Sequence, residues 1–135
     1  KQIYKYFFKT QQVGLIILNI MAKEIIFETT QFDFDVINHV KDLRKSKGYT
    51  QDELSLKMGV AKSFVSNVES YTQRHKYATR HLTLLAKAFG FKNISDLLKF
   101  PTPEYDKIKV TVQQTYNETG TKVIKSEVVN IESVE

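Results

Sequence analysis

Between Thr50 and Glu69 the chain reads TQDELSLKMGVAKSFVSNVE, and only Met58-Gly59-Val60 separates two short amphipathic helical patterns. Two helices joined so tightly must cross at a steep angle. Thr50-Gln51-Asp52-Glu53 is a capping box: the Thr50 hydroxyl can accept the Glu53 N–H while the Glu53 carboxylate accepts the Thr50 N–H, which sets where the first helix starts. Leu54 and Met58 form its buried stripe, and Gly59 supplies a left-handed end at little steric cost. In the second helix Val65 and Val68 face inward, which turns Lys62, Ser63, Ser66 and Asn67 outward. A face of short hydrogen-bonding side chains with one cation can read base edges in a DNA major groove.

The 135 residues suit one small domain with appendages, and without cysteine they exclude disulfides, thiolate zinc sites and cysteine nucleophiles. The net charge of +5 is unevenly spread. Residues 36–100 hold twelve Lys and Arg against five acids, for +7, while residues 1–35 balance at zero and 101–135 carry −2. Excess positive charge thus coincides with the helical segment, as a phosphate-binding surface requires. His39, His75 and His81 have no ligand-like spacing, and no glycine-rich phosphate loop or nucleophile motif is present, so neither a catalytic site, a metal nor a cofactor is expected.

The apolar periodicity predicts a first helix from about Val36 to Lys47, capped by Asp33 or Asp35 and closed by Gly48. Ser70 to Thr79 lacks such periodicity and reads as an exposed basic loop. A fourth helix follows from about Arg80 to Phe89, and a fifth, capped by Ser95, runs through Leu98 and stops at Pro101. Beyond Pro103 the period becomes two: Ile108, Val110 and Val112 share one side, and after Asn117-Glu118-Thr119-Gly120 a second β-branched run forms a hairpin. A lone hairpin is marginal in water, so its apolar side needs a partner. The helical body, the Ile25 to Phe34 stretch as a third strand, or a second copy of the chain are the choices. The second copy is preferred, because paired edge strands build a symmetric dimer cheaply.

At the N-terminus, Val13 to Ala22 is too short and too interrupted to span a bilayer, and the aromatic residues Tyr4, Tyr6, Phe7 and Phe8 are atypical of a signal peptide. Met21-Ala22-Lys23 resembles a bacterial start, so residues 1–20 are expected to be an upstream or appended sequence. The expected organisation is an extension over 1–31, with a strand within 24–31, a helical domain over 32–100 and a hairpin over 101–135 that serves dimerisation.

Taken together, LRKSKGYTQDEL (Leu43 to Leu54), KMGVAKSFVSNVE (Lys57 to Glu69) and LTLLAKAFGFKNISDLL (Leu82 to Leu98) resemble the lambda-repressor and Cro-like helix-turn-helix regulators, the Xre family. The likeness runs from Val36 to Leu98. It implies a mainly α fold, a five-helix lambda-repressor-like domain, here with the β-hairpin appended. It also implies a cytoplasmic, sequence-specific transcriptional repressor that binds double-stranded DNA as a homodimer with its third helix in the major groove. Gln51 matches a glutamine that touches a backbone phosphate, and Lys62, Ser63, Ser66 and Asn67 match positions that contact bases or phosphates. Phe64 is open between stacking on DNA and covering the core edge. Thr72, Arg74 and Lys76 are placed for phosphates, and Arg44 and Glu69 match an ion pair that sets the angle between helices one and three. The chain departs from the pattern at Ser55, where a small alanine is usual, at Ala61, where Ser or Thr usually caps the third helix, and in its long loop after Glu69. Two other readings stand beside this one: an antitoxin whose hairpin binds a toxin, and a protein-interaction module with a degenerate helix-turn-helix.

Overall fold

A computed structural model of the chain describes residues 22–134, so the expectation for residues 1–20 lies outside the described residues. Three strands and five helices follow in the order β1 (Ala22–Thr30), α1 (Gln31–Ser46), α2 (Gln51–Met58), α3 (Phe64–Glu69), α4 (Thr79–Phe89), α5 (Ile94–Leu97), β2 (Lys107–Tyr116) and β3 (Val123–Ser133). They divide into a helical unit, residues 28–108 with 133–134, and a sheet unit formed by residues 22–27 together with 109–132.

The helical unit is built by short-range signals. Helix α2 carries the expected capping box, with Glu53 N–H to Thr50 Oγ1 at 3.1 Å and Thr50 N–H to Glu53 Oε2 at 3.0 Å. It ends at Gly59, whose φ of 72° is the left-handed region where a Cβ would be strained. Helix α1 starts five residues earlier than its apolar stripe indicates, at Gln31 and not near Val36. Neither Asp33 nor Asp35 is its cap. The extended Thr30 takes that place, its hydroxyl accepting the Asp33 N–H at 3.1 Å and donating to the Asp33 carboxylate at 2.7 Å. That reciprocal hold satisfies a free N–H and puts an acid in the first turn, where it favours the helix dipole. Likewise Asn93, not Ser95, precedes α5, and Ser95 lies inside that helix.

The buried faces of the helices meet in one core. Val36 and Val40 of α1 pack with Leu54 and Met58 of α2, Val65 and Val68 of α3, Leu85, Ala86 and Phe89 of α4, and Leu97 of α5. Tyr77 also enters this core, so the segment expected to be an exposed loop contributes one large buried ring. After α5 the chain returns to the start of α1: Gln31 N–H donates to the Asp106 carbonyl at 3.0 Å, and Tyr105 N–H to Gln31 Oε1 at 2.7 Å.

In the sheet unit the strand order is β1-β2-β3, so the hairpin is not an isolated ribbon. Its neighbour is β1, which covers the first part of the Ile25 to Phe34 stretch offered as a third strand, whereas Gln31 to Phe34 of that stretch belong to α1. Among the described residues the fold is thus a mixture, 40% helix and 27% strand, and the description as mainly α is corrected to that extent. The period of two is legible only in part: Ile108, Val110, Val112 and Gln114 are buried on the central strand and Gln113 is exposed, but Thr111 between the two valines is buried as well. Gln114 donates from Nε2 to Ser126 Oγ at 3.0 Å, which links β2 to β3.

The Thr30 cap makes a definite demand on stability. Replacing Thr30 with Ala should lower unfolding free energy by about 1 kcal/mol, and Thr30→Ser should retain most of it. Urea denaturation followed by the helical circular dichroism signal reads both.

Candidate nucleic-acid interface

The side chains that would face DNA stand on α3 and the turns on either side of it, and α3 has only six residues. So short a helix is marginal by propensity, and its orientation must come from its anchors. The anchor at its C-terminal end is ionic. Arg44 of α1 donates from Nε to Glu69 Oε2 at 2.9 Å and from Nη2 to Glu69 Oε1 at 2.8 Å, while Nη1 reaches the Tyr49 carbonyl at 2.8 Å. The two side chains are 9% and 2% exposed, so this two-pronged pair is largely desolvated. Close to the pair lies the buried Tyr77 ring. Burial pushes the Tyr77 phenol far above its ordinary range; Glu69 adds to the shift and Arg44 opposes it.

The expected face is assembled in part. Lys62 and Ser63 are not on the helix: they form the middle of a turn closed by the Phe64 N–H on the Ala61 carbonyl at 2.9 Å. Both are exposed, and the Lys62 ammonium lies 3.8 Å from the Asp52 carboxylate at the start of α2. Ser66 is half-buried and donates its hydroxyl to the Ser63 carbonyl at 2.8 Å, which leaves it an acceptor toward solvent. Asn67 is half-exposed, and its backbone carbonyl receives the His75 N–H at 3.4 Å. Gln51, half-exposed, is the first residue of α2. Phe64 is held at the core edge, its ring 4.5 Å from His81 and 5.9 Å from Tyr77 between centroids, which favours the covering role over a free stacking surface.

The segment after α3 is more ordered than its composition indicates. Ser70 Oγ accepts the N–H groups of Thr72 at 3.3 Å and Gln73 at 3.2 Å and shares a hydrogen bond with the Thr72 hydroxyl at 3.0 Å. Arg74 then adopts a φ of 49°, a left-handed conformation that a non-glycine residue takes only at some cost. Lys76 lies 3.0 Å from the Asp33 carboxylate, so it ties the loop to α1 and would reach a phosphate only by sharing or leaving that partner. Thr72, Arg74 and Lys76 are all exposed.

His81, which has no ligand-like spacing in the sequence, closes the start of α4, where its Nδ1 accepts the Ala78 N–H at 2.9 Å. Its position three residues into the helix is the one from which Glu or Gln usually closes a capping box, and that is the signal that could have found it. Ser55 likewise does more than replace a small alanine. Its buried hydroxyl accepts the Val65 N–H at 3.0 Å across the turn between α2 and α3. Among the described residues no cluster of three or more His, Cys, Asp or Glu could hold a metal, and no helix is long and apolar enough to cross a membrane.

Two measurements follow from this geometry. Arg44→Ala leaves the Glu69 carboxylate buried without its partner and should cost about 3–5 kcal/mol, whereas the double replacement Arg44→Met, Glu69→Leu should recover most of that loss; chemical denaturation compares them. For His81, burial first and the Arg80 charge second hold the imidazole below 6.5. As pH falls, the unfolded chain therefore takes its proton before the folded one does. The stability is complete above 6.5 and is lost as pH falls through the folded value. His81→Gln keeps an acceptor without a titration, so the drop in urea midpoint between pH 7 and pH 5 should be smaller in that variant.

Residues 40–97 match the helix-turn-helix family model. No curated protein sequence matches the chain. Among solved structures the chain is similar to that of the master regulator for biofilm formation SinR in complex with DNA, at 31% identity over 47% of this chain and 98% of that one, with a TM-score of 0.39. It is also similar to the N-terminal DNA binding domain of SinR from Bacillus subtilis, at 29% identity over 50% of this chain and 96% of that one, with a TM-score of 0.40.

Proposed function

Because the chain belongs to the Xre-type helix-turn-helix family of regulators, we propose that it is a sequence-specific transcriptional repressor that binds DNA as a homodimer. The observation that carries this reading is the solvent-facing set of Lys62 and Ser63 just before, and Asn67 on, a short, doubly anchored helix, in the one segment of the chain with excess positive charge. Lys62 suits guanine O6 and N7, Asn67 suits adenine N6 and N7, and Ser63 and Ser66 offer hydroxyl contacts. Gln51, Thr72, Arg74 and Lys76 flank that set and would bind backbone phosphates, which position the protein without specifying sequence. Phe64 supports the turn from behind.

The dimer has support from the sheet unit. Among the described residues β3 is an edge strand, and Ile124, Val129 and Ile131 on it are about half exposed or more. An exposed apolar edge favours pairing with another chain. In a symmetric dimer two α3 helices would read half-sites about one turn, ~34 Å, apart. The same edge favours the second reading, an antitoxin that uses β3 to hold a toxin. Sedimentation equilibrium of the purified chain separates the two: a dimer supports self-pairing, and a monomer that becomes a stable complex only with the product of an adjacent gene supports the antitoxin.

The DNA reading is tested by selecting bound duplexes from a random pool at two salt concentrations. The wild-type chain should select a two-fold-related site. Asn67→Ala should relax preference at one position of each half-site, by about 1–3 kcal/mol. Lys76→Ala should weaken all duplexes alike and reduce the salt slope by about one. Selection of no sequence at either salt would contradict the reading.

A further inference from the structure

Two departures from the family pattern sit on opposite sides of one turn, and the structure joins them. Ser55 is fully buried in α2, and its hydroxyl donates to the Gln51 carbonyl at 3.1 Å while accepting the Val65 N–H at 3.0 Å. Ala61 has no hydroxyl with which to cap α3, and Ser63, at the cap position, makes no side-chain cap. Ser55 thus supplies from the neighbouring helix the acceptor that the third helix lacks at its own N-terminus. A buried N–H without an acceptor costs roughly 1–3 kcal/mol, so the bond has reason to persist.

The identity of the donor matters as much as the bond. In a helix begun at Ala61, the Val65 N–H would go back four residues to the Ala61 carbonyl. Here the Phe64 N–H takes that carbonyl at 2.9 Å, Ser55 takes the Val65 N–H, and the regular ladder starts only with the Asn67 N–H on the Ser63 carbonyl at 3.0 Å. The onset of α3 is delayed to Phe64, and Ser63 rests at φ −85°, ψ 1°, the geometry of the third residue of a type I turn. Winding Ser63 into helix would turn ψ by on the order of 40°. Base readout tolerates only about 10–20° at the groups that make contact. Lys62 and Ser63 stand in this turn, so its conformation decides where they point.

We propose that the Ser55 hydroxyl is a specificity-determining positioning group: by holding the Val65 N–H it keeps Lys62 and Ser63 in a turn, and so sets which bases they meet. The proposal rests on the DNA reading given above. Ser55 itself touches no DNA and acts through the backbone of α3.

The test compares the wild-type chain with Ser55→Ala and with the double variant Ser55→Ala, Ala61→Ser, which restores a hydroxyl cap locally without restoring the bond to Val65. Three readouts are needed: backbone chemical shifts of residues 61–66 without DNA, the melting temperature, and the selected-site profile. In Ser55→Ala the Val65 amide should shift, and the Lys62 and Ser63 Cα shifts should move toward helical values. Preference at the bases that Lys62 and Ser63 meet should fall about tenfold, equivalent to about 1.4 kcal/mol, while the positions read by Asn67 keep theirs. The double variant should regain melting temperature and keep the altered profile. Unchanged shifts in Ser55→Ala would overturn the proposal, as would a wild-type profile in that variant or a profile that recovers together with stability in the double variant. If the wild-type chain selects no site while the shifts respond as expected, it is the DNA reading that fails, and the specificity role falls with it.

Discussion

Everything the candidate interface can do depends on the buried contact between Arg44 and Glu69. A six-residue helix has too few internal hydrogen bonds to hold its own direction, and this pair fastens its last residue to α1 and, through the Tyr49 carbonyl, to the chain entering α2. Because both side chains are largely out of water, neither is dispensable alone: the partner left behind would be a buried charge. The contact also joins three segments that the chain's short loops could otherwise leave at several angles. Its geometry, two parallel N–H to oxygen bonds with a planar guanidinium, restricts rotation as well as distance.

At the opposite end of α3 the restraint is a neutral hydrogen bond, Ser55 to Val65. The two ends are therefore held by different chemistry, and they respond to different perturbations. Salt acts first on exposed charges, such as Lys62 with Asp52, and little on a buried serine hydroxyl. Between the anchors, the outward side chains are less idle than their exposure implies. Ser66 has already given its proton to the Ser63 carbonyl, and Phe64 belongs with Tyr77 and His81. The groups left to contact a partner narrow to Lys62, Ser63, Asn67 and the accepting side of the Ser66 hydroxyl, flanked by Gln51 and the ordered loop of Thr72, Arg74 and Lys76.

The parts of this arrangement that were legible in the sequence are those whose partners lie within a few residues. The Thr50 and Glu53 box, the left-handed Gly59 and the stripe Leu54 with Met58 are all local, and local spacing reports them. Arg44 and Glu69, twenty-five positions apart, are visible only through resemblance to a family. Local competition hid the start of α1: two aspartates look like caps, while Thr30 lies in a run with strand propensity and serves as both strand end and cap. Tyr77 was hidden because its neighbours are polar, and nothing in QRHKYATR marks the one ring that turns inward. Pairing of β1 with β2 joins segments about eighty positions apart, a choice that a period of two cannot make. The late onset of α3 depends on a serine from another helix, so spacing within α3 could not reveal it.

The central claim is that α3 with its flanking turns is the surface that meets DNA, and amide chemical-shift mapping of the chain during titration with its selected duplex tests it most directly. The account predicts that the largest changes fall at Gln51, across 61–67 and across 72–76, while α5 and the strands β1 and β2 change little. Changes concentrated on the sheet or on α5, with 61–67 unmoved at saturation, would contradict it.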